Sequence, residues 1–349
     1  MKKTSIGGQA LIEGLLMVGP EKRALASLLP DGQIHLEYLE APRKRRVERY
    51  WLLRGMVRIW DQLRLGYGAM FRSAEIQEAA EDAGKKRTGA PGGDPLERAQ
   101  IPVFEDEQLL ITADPPSQTV DRKVGAGDKK AARRILELLL LGFSLALGLA
   151  VFFLLPNLLM QGLLSLLPGG SAPGGLAWSL ACNFAEALIR IAIFLGYLWL
   201  CSRQKDIARV WQFHGAEHKT ISCYEAGRPL TVEEVQAQSR FHPRCGTSFL
   251  FIIVLVAALL YAVLGWHGLW LNLLIRLLLI PLLAGLSYEV LRYSGRHAQC
   301  RRGRILAAPG LWLQRLTTKE PEQEQIRVAI RALEAVLPTE EGADDWDRQ

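Results

Sequence analysis

The chain has 349 residues, a formal net charge of +6 and 49% hydrophobic residues. Its apolar residues are clustered, and residues 138–185 hold no charged residue at all, which argues against a wholly soluble fold and for membrane-spanning segments. The positive surplus sits beside those segments, so it gives no ground for a nucleic-acid partner.

The chain starts Met-Lys-Lys, but its first apolar stretch is broken by Glu13 and Gly14. Pro20-Glu-Lys-Arg23 then stands where a cleavage site would follow, and no signal peptide is expected. Residues 23–40 alternate weakly around Pro30-Asp-Gly32, a turn signal, and predict a small β hairpin. Across residues 53–76, Met56, Trp60, Leu63, Tyr67 and Met70 recur at helical spacing beside Arg54, Arg58, Arg64 and Arg72. That pattern predicts an amphipathic helix, laid either on an anionic inner leaflet or on the protein's own core. Residues 77–130 are rich in charge, Gly and Pro and read as linker, with a short strand at 101–111.

Four apolar segments follow, at residues 138–155 (open to extension to 167), 176–200, 248–266 and 269–290. Each is near the length that crosses a hydrocarbon core of about 30 Å at about 1.5 Å per residue. Lys129, Lys130, Arg133 and Arg134 precede the first, and Arg203, Lys205 and Arg209 follow the second. Arg240 and Arg244 precede the third, Arg292, Arg296, Arg301, Arg302 and Arg304 follow the fourth, and the two opposite linkers carry no Lys or Arg. The positive-inside rule then places both termini and the loop at 202–247 in the cytoplasm. Glu186 and Arg190, four apart in the second segment, are expected to pair, and Arg276 in the fourth to snorkel outward.

The expected fold class is therefore membrane all-α, a four-helix transmembrane bundle at 135–292. A small cytoplasmic α+β N-terminal region (1–76) and a linker (77–134) precede it. A cytoplasmic C-terminal region (293–349) follows, whose helix opens at Glu320-Pro321 and ends at Pro338 before an acidic tail. Four unbroken spans without a visible repeat make a monomeric transporter a poor reading.

The chemistry concentrates in the cytoplasmic loop. Its first part, residues 202–224, reads as a helix continuing the second span, and Thr231-Val-Glu-Glu234 as a capping box starting a short one. Three of the six histidines lie here, in His214-Gly-Ala-Glu217-His218 and His242-Pro-Arg-Cys245. Histidines four apart on a helix share a face, as two ligands of one metal ion require. Glu217 beside them is a candidate general base, or a carboxylate that only orients a histidine. The plainer alternative is a helix surface on which Glu217, His218 and Lys219 make ordinary ion pairs. A third ligand is open among His242, Cys245 and Glu289. Imidazole and thiolate donors suit Zn²⁺, although His242 and Cys245 also fit a tight structural turn. Five cysteines form no CxxC pair; Cys223, Cys245 and Cys300 face a reducing compartment on this topology, and Cys182 and Cys201 read as packing residues.

Several stretches resemble a known family. Gly7-Gly-Gln-Ala-Leu-Ile-Glu-Gly14, Phe213-His-Gly-Ala-Glu-His-Lys219 and His242-Pro-Arg-Cys-Gly-Thr-Ser248 are similar to motifs of the YqhQ family of bacterial membrane proteins. So are Ser287-Tyr-Glu289 and Pro309-Gly-Leu-Trp-Leu-Gln-Arg-Leu-Thr-Thr318. The resemblance spans nearly the whole chain apart from residues 77–130 and the acidic tail. It implies a bacterial inner-membrane protein with a metal site and metal-dependent activity, without naming a substrate.

Two readings follow. The first is a membrane-embedded, metal-dependent hydrolase, probed by its coordination: His214, His218 and a third ligand on Zn²⁺, with Glu217 as base. Its substrate would be a membrane protein or a lipid-linked molecule, from the site's position at the bilayer. The second is a membrane adaptor with a closed structural metal site using His214, His218, His242 and Cys245.

Overall fold

The structure is a computed structural model and describes residues 3–40, 50–88, 139, 142–144, 146–166, 175–265, 267, 269–297, 300–340 and 342–345. The strand expected at 101–111, most of the linker and the end of the acidic tail lie outside these residues. The described chain is mostly helical, with a small antiparallel sheet near its start.

Four strands, β1 (Gly7–Leu11), β2 (Gly14–Val18), β3 (Arg23–Leu28) and β4 (Ile34–Leu39), form the sheet in sequence order. The expected hairpin is β3–β4, turned through Gly32 at φ 82°. The β1–β2 hairpin was not expected. Leu11 pairs with Gly14, so Ile12 and Glu13 form a two-residue tip, and Glu13 takes a positive φ of 49°. Such tips demand positive φ, which for a non-glycine residue costs about 1 kcal/mol or more. The Glu13 carboxylate is gripped by both arms of Arg209, which helps hold the tip in place.

Helix α1 (Trp51–Thr88) crosses one face of the sheet, where Leu11, Leu16 and Leu25 meet Ala69 and Ile76. It runs on to Thr88, into the stretch read as linker. Two glycines let it approach closely: Gly55 touches α8 (Ile280–Arg296) at Tyr288 and Gly285, and Gly66 touches Gln9 of β1. Its large apolar residues Trp60, Leu63, Tyr67, Met70 and Phe71 are instead exposed. The stripe seen in the sequence is therefore not packed on the protein's own core.

The other sheet face packs on α4 (Lys205–Glu225) and α10 (Gln323–Val336). Leu15, Met17, Ala24 and Ala26 contact Phe213, Ala216, Ile326 and Leu333, all fully buried. A capping box between Glu322 and Gln325 starts α10. Between these elements lie α5 (Val232–Gln236), N-capped by Thr231 as its sequence predicts, and α9 (Arg301–Thr317), which the sequence reading missed. Pro309 in mid-helix masks α9 as a helix; Gly310 beside it lets Ser248 approach closely.

The apolar part contains a π-helical segment (Ala150–Leu154) leading into α2 (Leu155–Leu166), then α3 (Leu176–Cys201), α6 (Thr247–Val263), α7 (Leu269–Leu278) and α8. Among the described residues two helices, Gly142–Leu166 and Leu176–Cys201, are long and apolar enough to cross a membrane. A third qualifies if the bent pair Trp270–Leu278 and Ile280–Arg296 is one span.

Three expectations change here. The fourth apolar segment is bent by 51° at Leu279, because Pro281 has no N–H for the helical ladder and its ring crowds the preceding turn. The second does not run straight into α4: Ser202 caps α3, and a new helix starts at Lys205. Arg276 does not snorkel; it turns inward and takes both oxygens of Glu186, which also accepts from Arg190 at 2.6 Å. Bidentate pairing with a buried carboxylate outweighs the reach to an interface.

Candidate metal centre

From Phe213 to Ile221 every residue of α4 is buried. A helix closed on all sides must satisfy its polar side chains internally, and this one does so with backbone from distant segments. A Cβ on Gly215 would collide with the carbonyl of Lys319, so glycine admits the chain after α9 against α4. Lys219 reaches the Gln236 carbonyl at 2.8 Å and Glu320 at 2.9 Å, tying α4 to α5 and to that same segment.

The two histidines face one point. Their ring centroids are 4.3 Å apart. His214 Nδ1 donates to the Thr317 carbonyl at 2.7 Å, and His218 Nδ1 to the Arg240 carbonyl at 2.6 Å. A carbonyl only accepts, so each Nδ1 carries a proton and Nε2 is the nitrogen left to face the cluster. The His214 Nε2 lies 3.1 Å from Cys245 Sγ. One ligand atom from each of His214, His218 and Cys245 falls within 4.8 Å of the others. A tetrahedral zinc with Zn–N near 2.0 Å and Zn–S near 2.3 Å would set such atoms roughly 3.3–3.6 Å apart, so a small closure completes the set. Imidazoles whose other nitrogen is pinned by a carbonyl are the usual form of metal-ligating histidine.

Without an ion the cluster favours a His214 imidazolium beside a Cys245 thiolate, and a metal would displace the Nε2 proton of His214. Burial opposes charge on His214 and on Cys245, but there it is overcome. The imidazoles of His214 and His218 hold the Cys245 thiol well below its ordinary pKa, favouring thiolate. Cys245 and Glu217 in turn push His214 up to about 9 despite its burial. Burial raises the Glu217 carboxyl, against the pull of His214, His218 and a hydrogen bond from the Gly8 N–H.

A pocket of about 100 Å³ borders the cluster, lined by Glu217, His218, His242, Arg244, Cys245 and the backbone at residues 5–8. Gly8 is required there. A Cβ on it would lie 2.8 Å from the Leu16 carbonyl and 3.0 Å from the Glu217 carboxyl carbon. Glu225 lies behind the lining residue Arg244, accepting from it and from the Thr4 N–H at 2.7 Å. Its burial is outweighed by His242 and Arg244, which keep its pKa below the ordinary range.

The structure brings together His214, His218, Cys245 and Glu217. His242 lies beside them, its ring centroid 5.6 Å from that of His218. Its Nε2 is turned to Glu225 at 3.5 Å, and burial first, then His218 and Arg244, keep it neutral. Glu289 is not brought to the cluster. It forms a bidentate pair with Arg54 of α1, at 2.6 Å on the Nε side. An unshielded guanidinium nearby claims that carboxylate, which the sequence alone did not reveal.

The family model described as "Protein of unknown function (DUF1385)" matches residues 51–339. "Uncharacterized protein YqhQ" of Bacillus subtilis (strain 168) is 33% identical over 342 residues, covering 96% of this chain and 92% of that one. The chain belongs to the YqhQ family. No solved structure matches.

The family motifs seen in the sequence meet around the cluster in this YqhQ-family chain. Gly8 contacts Glu217, and Thr317 holds His214. Gln314 clamps the backbone of His242 from both sides, donating to its carbonyl and accepting from its N–H, each at 2.8 Å. These supports, with the Arg240 carbonyl and Glu225, are what residue-type reasoning missed. The signal was present in Gly7-Gly8 and Gln314–Thr318, stretches whose residue types suggest no chemistry alone. Only Ser287-Tyr-Glu289 lies elsewhere, where α1 crosses α8.

Proposed function

We propose that this chain is a multi-pass bacterial inner-membrane protein carrying a metal-dependent hydrolytic site at the cytoplasmic membrane face. Four crossings are assigned: Gly142–Leu166, Leu176–Cys201, Thr247–Val263 with its flanks, and the bent α7–α8 pair as one span. The Arg- and Lys-rich flanks put both termini and α4 in the cytoplasm. The exposed stripe of α1 lies in the headgroup layer beside them.

His214, His218 and Cys245 hold a divalent transition metal, with Zn²⁺ the best match to two imidazoles and a thiolate. Such an ion supplies Lewis-acid chemistry and lowers the pKa of a water. The two carbonyl-pinned imidazoles keep their donor nitrogens aimed at the site. Glu217 takes the proton from the attacking water and returns it to the leaving group. Burial has moved its pKa toward the working range that a general base needs. The pocket beside it admits an amide or ester of a membrane protein or lipid-linked molecule. The observation that carries this reading is that three donors converge on one side while a pocket and a buried carboxylate occupy the other. Burial of all three donors supports a second reading, a closed structural site in a membrane adaptor.

Glu217→Gln separates the two. In the hydrolase it folds, inserts and keeps its metal yet fails to complement a deletion strain, as His214→Ala does. Metal-replete Glu217→Gln protein with full complementation would sink the hydrolytic reading and leave the adaptor.

A further inference from the structure

Outside the metal centre, three irregularities meet in the apolar helices. The π-helical segment presents the Phe152 carbonyl to Arg190 Nε at 3.0 Å. The bend between α7 and α8 lies one turn beyond Arg276. Glu186 is shared by Arg190 and Arg276, and all three side chains are buried. π-segments and broken helices recur at functional sites in membrane proteins.

The charge there does not cancel. Across residues 138–200 and 248–288 the sequence holds one carboxylate, Glu186, and two guanidinium groups, Arg190 and Arg276. Both guanidinium groups lie over the ring of Tyr261, at 5.7 and 5.1 Å from its centroid. The Tyr261 hydroxyl is buried and has no hydrogen-bond partner among the described residues. Tyr261 and Arg276 line a small cavity with Asn183, Asn272 and His267. Its volume of about 10 Å³ suits a single water-sized occupant. A water would satisfy the hydroxyl and leave the positive surplus; a cation would add to that surplus; a phosphate is too large. A halide-sized anion meets all three conditions.

We propose that this cavity between α3, α6 and α7 binds a small monovalent anion of halide size, held by the Arg276 guanidinium and the Tyr261 hydroxyl. The site is separate from the metal centre and does not depend on its chemistry.

The test uses the purified full-length protein in detergent. Its thermal midpoint is followed in chloride or bromide against gluconate at equal ionic strength, and the ³⁵Cl NMR linewidth is measured in parallel. Halides should raise the midpoint saturably, and the protein should broaden the chloride line until excess bromide displaces it. Tyr261→Phe should bind chloride about tenfold more weakly, the effect of losing one hydrogen bond to a charged group, while His214→Ala should respond as wild type. Equal midpoints in all salts with no line broadening would overturn the proposal. So would a full halide response in Tyr261→Phe, or a response lost in His214→Ala, which would move the anion to the metal centre. If Tyr261→Phe does not fold, the wild-type linewidth decides alone.

Discussion

Around α4 the buried polar side chains are fastened to backbone: His214 to Thr317, His218 to Arg240, Lys219 to Gln236, Glu217 to Gly8. In the apolar helices Glu186, Arg190 and Arg276 are fastened mainly to one another. The first arrangement leaves Glu217, His218 and Cys245 bordering a pocket, with backbone groups as partners of the glutamate and the histidine. The second consumes its own charges and holds helices together. Buried polar groups thus border a pocket where the backbone supplies their partners, and lock helices together where side chains supply them.

Glu186→Ala attacks the lock and should have the largest effect. It strands two buried guanidinium groups, a loss of about 3–5 kcal/mol, and the yield of monodisperse protein should collapse. Replacing the whole triad with Glu186→Leu, Arg190→Met and Arg276→Met should recover most of that yield. Failure of the triple variant would mean that the charges do more than pack.

The metal centre is tested by elemental analysis. Wild-type protein should carry about one equivalent of zinc, and His214→Ala, His218→Ala and Cys245→Ala should each lose it. Glu289→Ala should keep it, since that carboxylate serves Arg54. Wild-type metal content in both histidine variants would end the contrast between the two regions.

Gly8→Ala sharpens the point that backbone approach builds the site. Its Cβ would press on the Leu16 carbonyl and on Glu217, at a cost of about 1–3 kcal/mol. Its thermal midpoint should fall while zinc content stays near wild type; an unchanged midpoint would show that β1 yields freely.

The smallest effect is a pH dependence at Glu225, behind the pocket. The pKa of Glu225 lies below its ordinary value in the fold, so the stability it contributes is present above the unfolded pKa of about 4.3 and is lost as pH falls through the folded one. The drop in thermal midpoint between pH 7 and pH 3 should therefore be smaller in Glu225→Gln than in wild type. Equal drops would show that Glu225 is not held in its charged form.

Much of this architecture is written in local pattern. Apolar runs mark α2, α3 and α6, Thr231 and Pro338 mark helix boundaries, and His214 with His218 mark one helical face. What is not local could not be read. β1 and β2 escape notice because Leu15, Leu16 and Met17 are all buried, one sheet face against α4 and α10 and the other against α1, so no alternation survives. Sequence leaves the third candidate donor open among three residues. Cys245 stands beside the histidines, while His242 turns its Nε2 to Glu225 and Glu289 is held by Arg54; these are contacts between distant segments. The inward turn of Arg276 likewise depends on which helix stands opposite.

The carbonyl that orients His214 belongs to Thr317, 103 residues further along the chain. A ribosome adding about 5–20 residues per second exposes His214, His218 and Cys245 well before Thr317 exists. The donors are therefore made in mid-synthesis, while the group that fixes one of their tautomers arrives near the end. A nascent chain paused after Cys245 owns all three side chains of the cluster and still lacks the geometry, so on the proposed function metal uptake would be a late event, timed to docking of the segment after α9. The order in which the polypeptide is made would then discourage premature loading with the wrong ion.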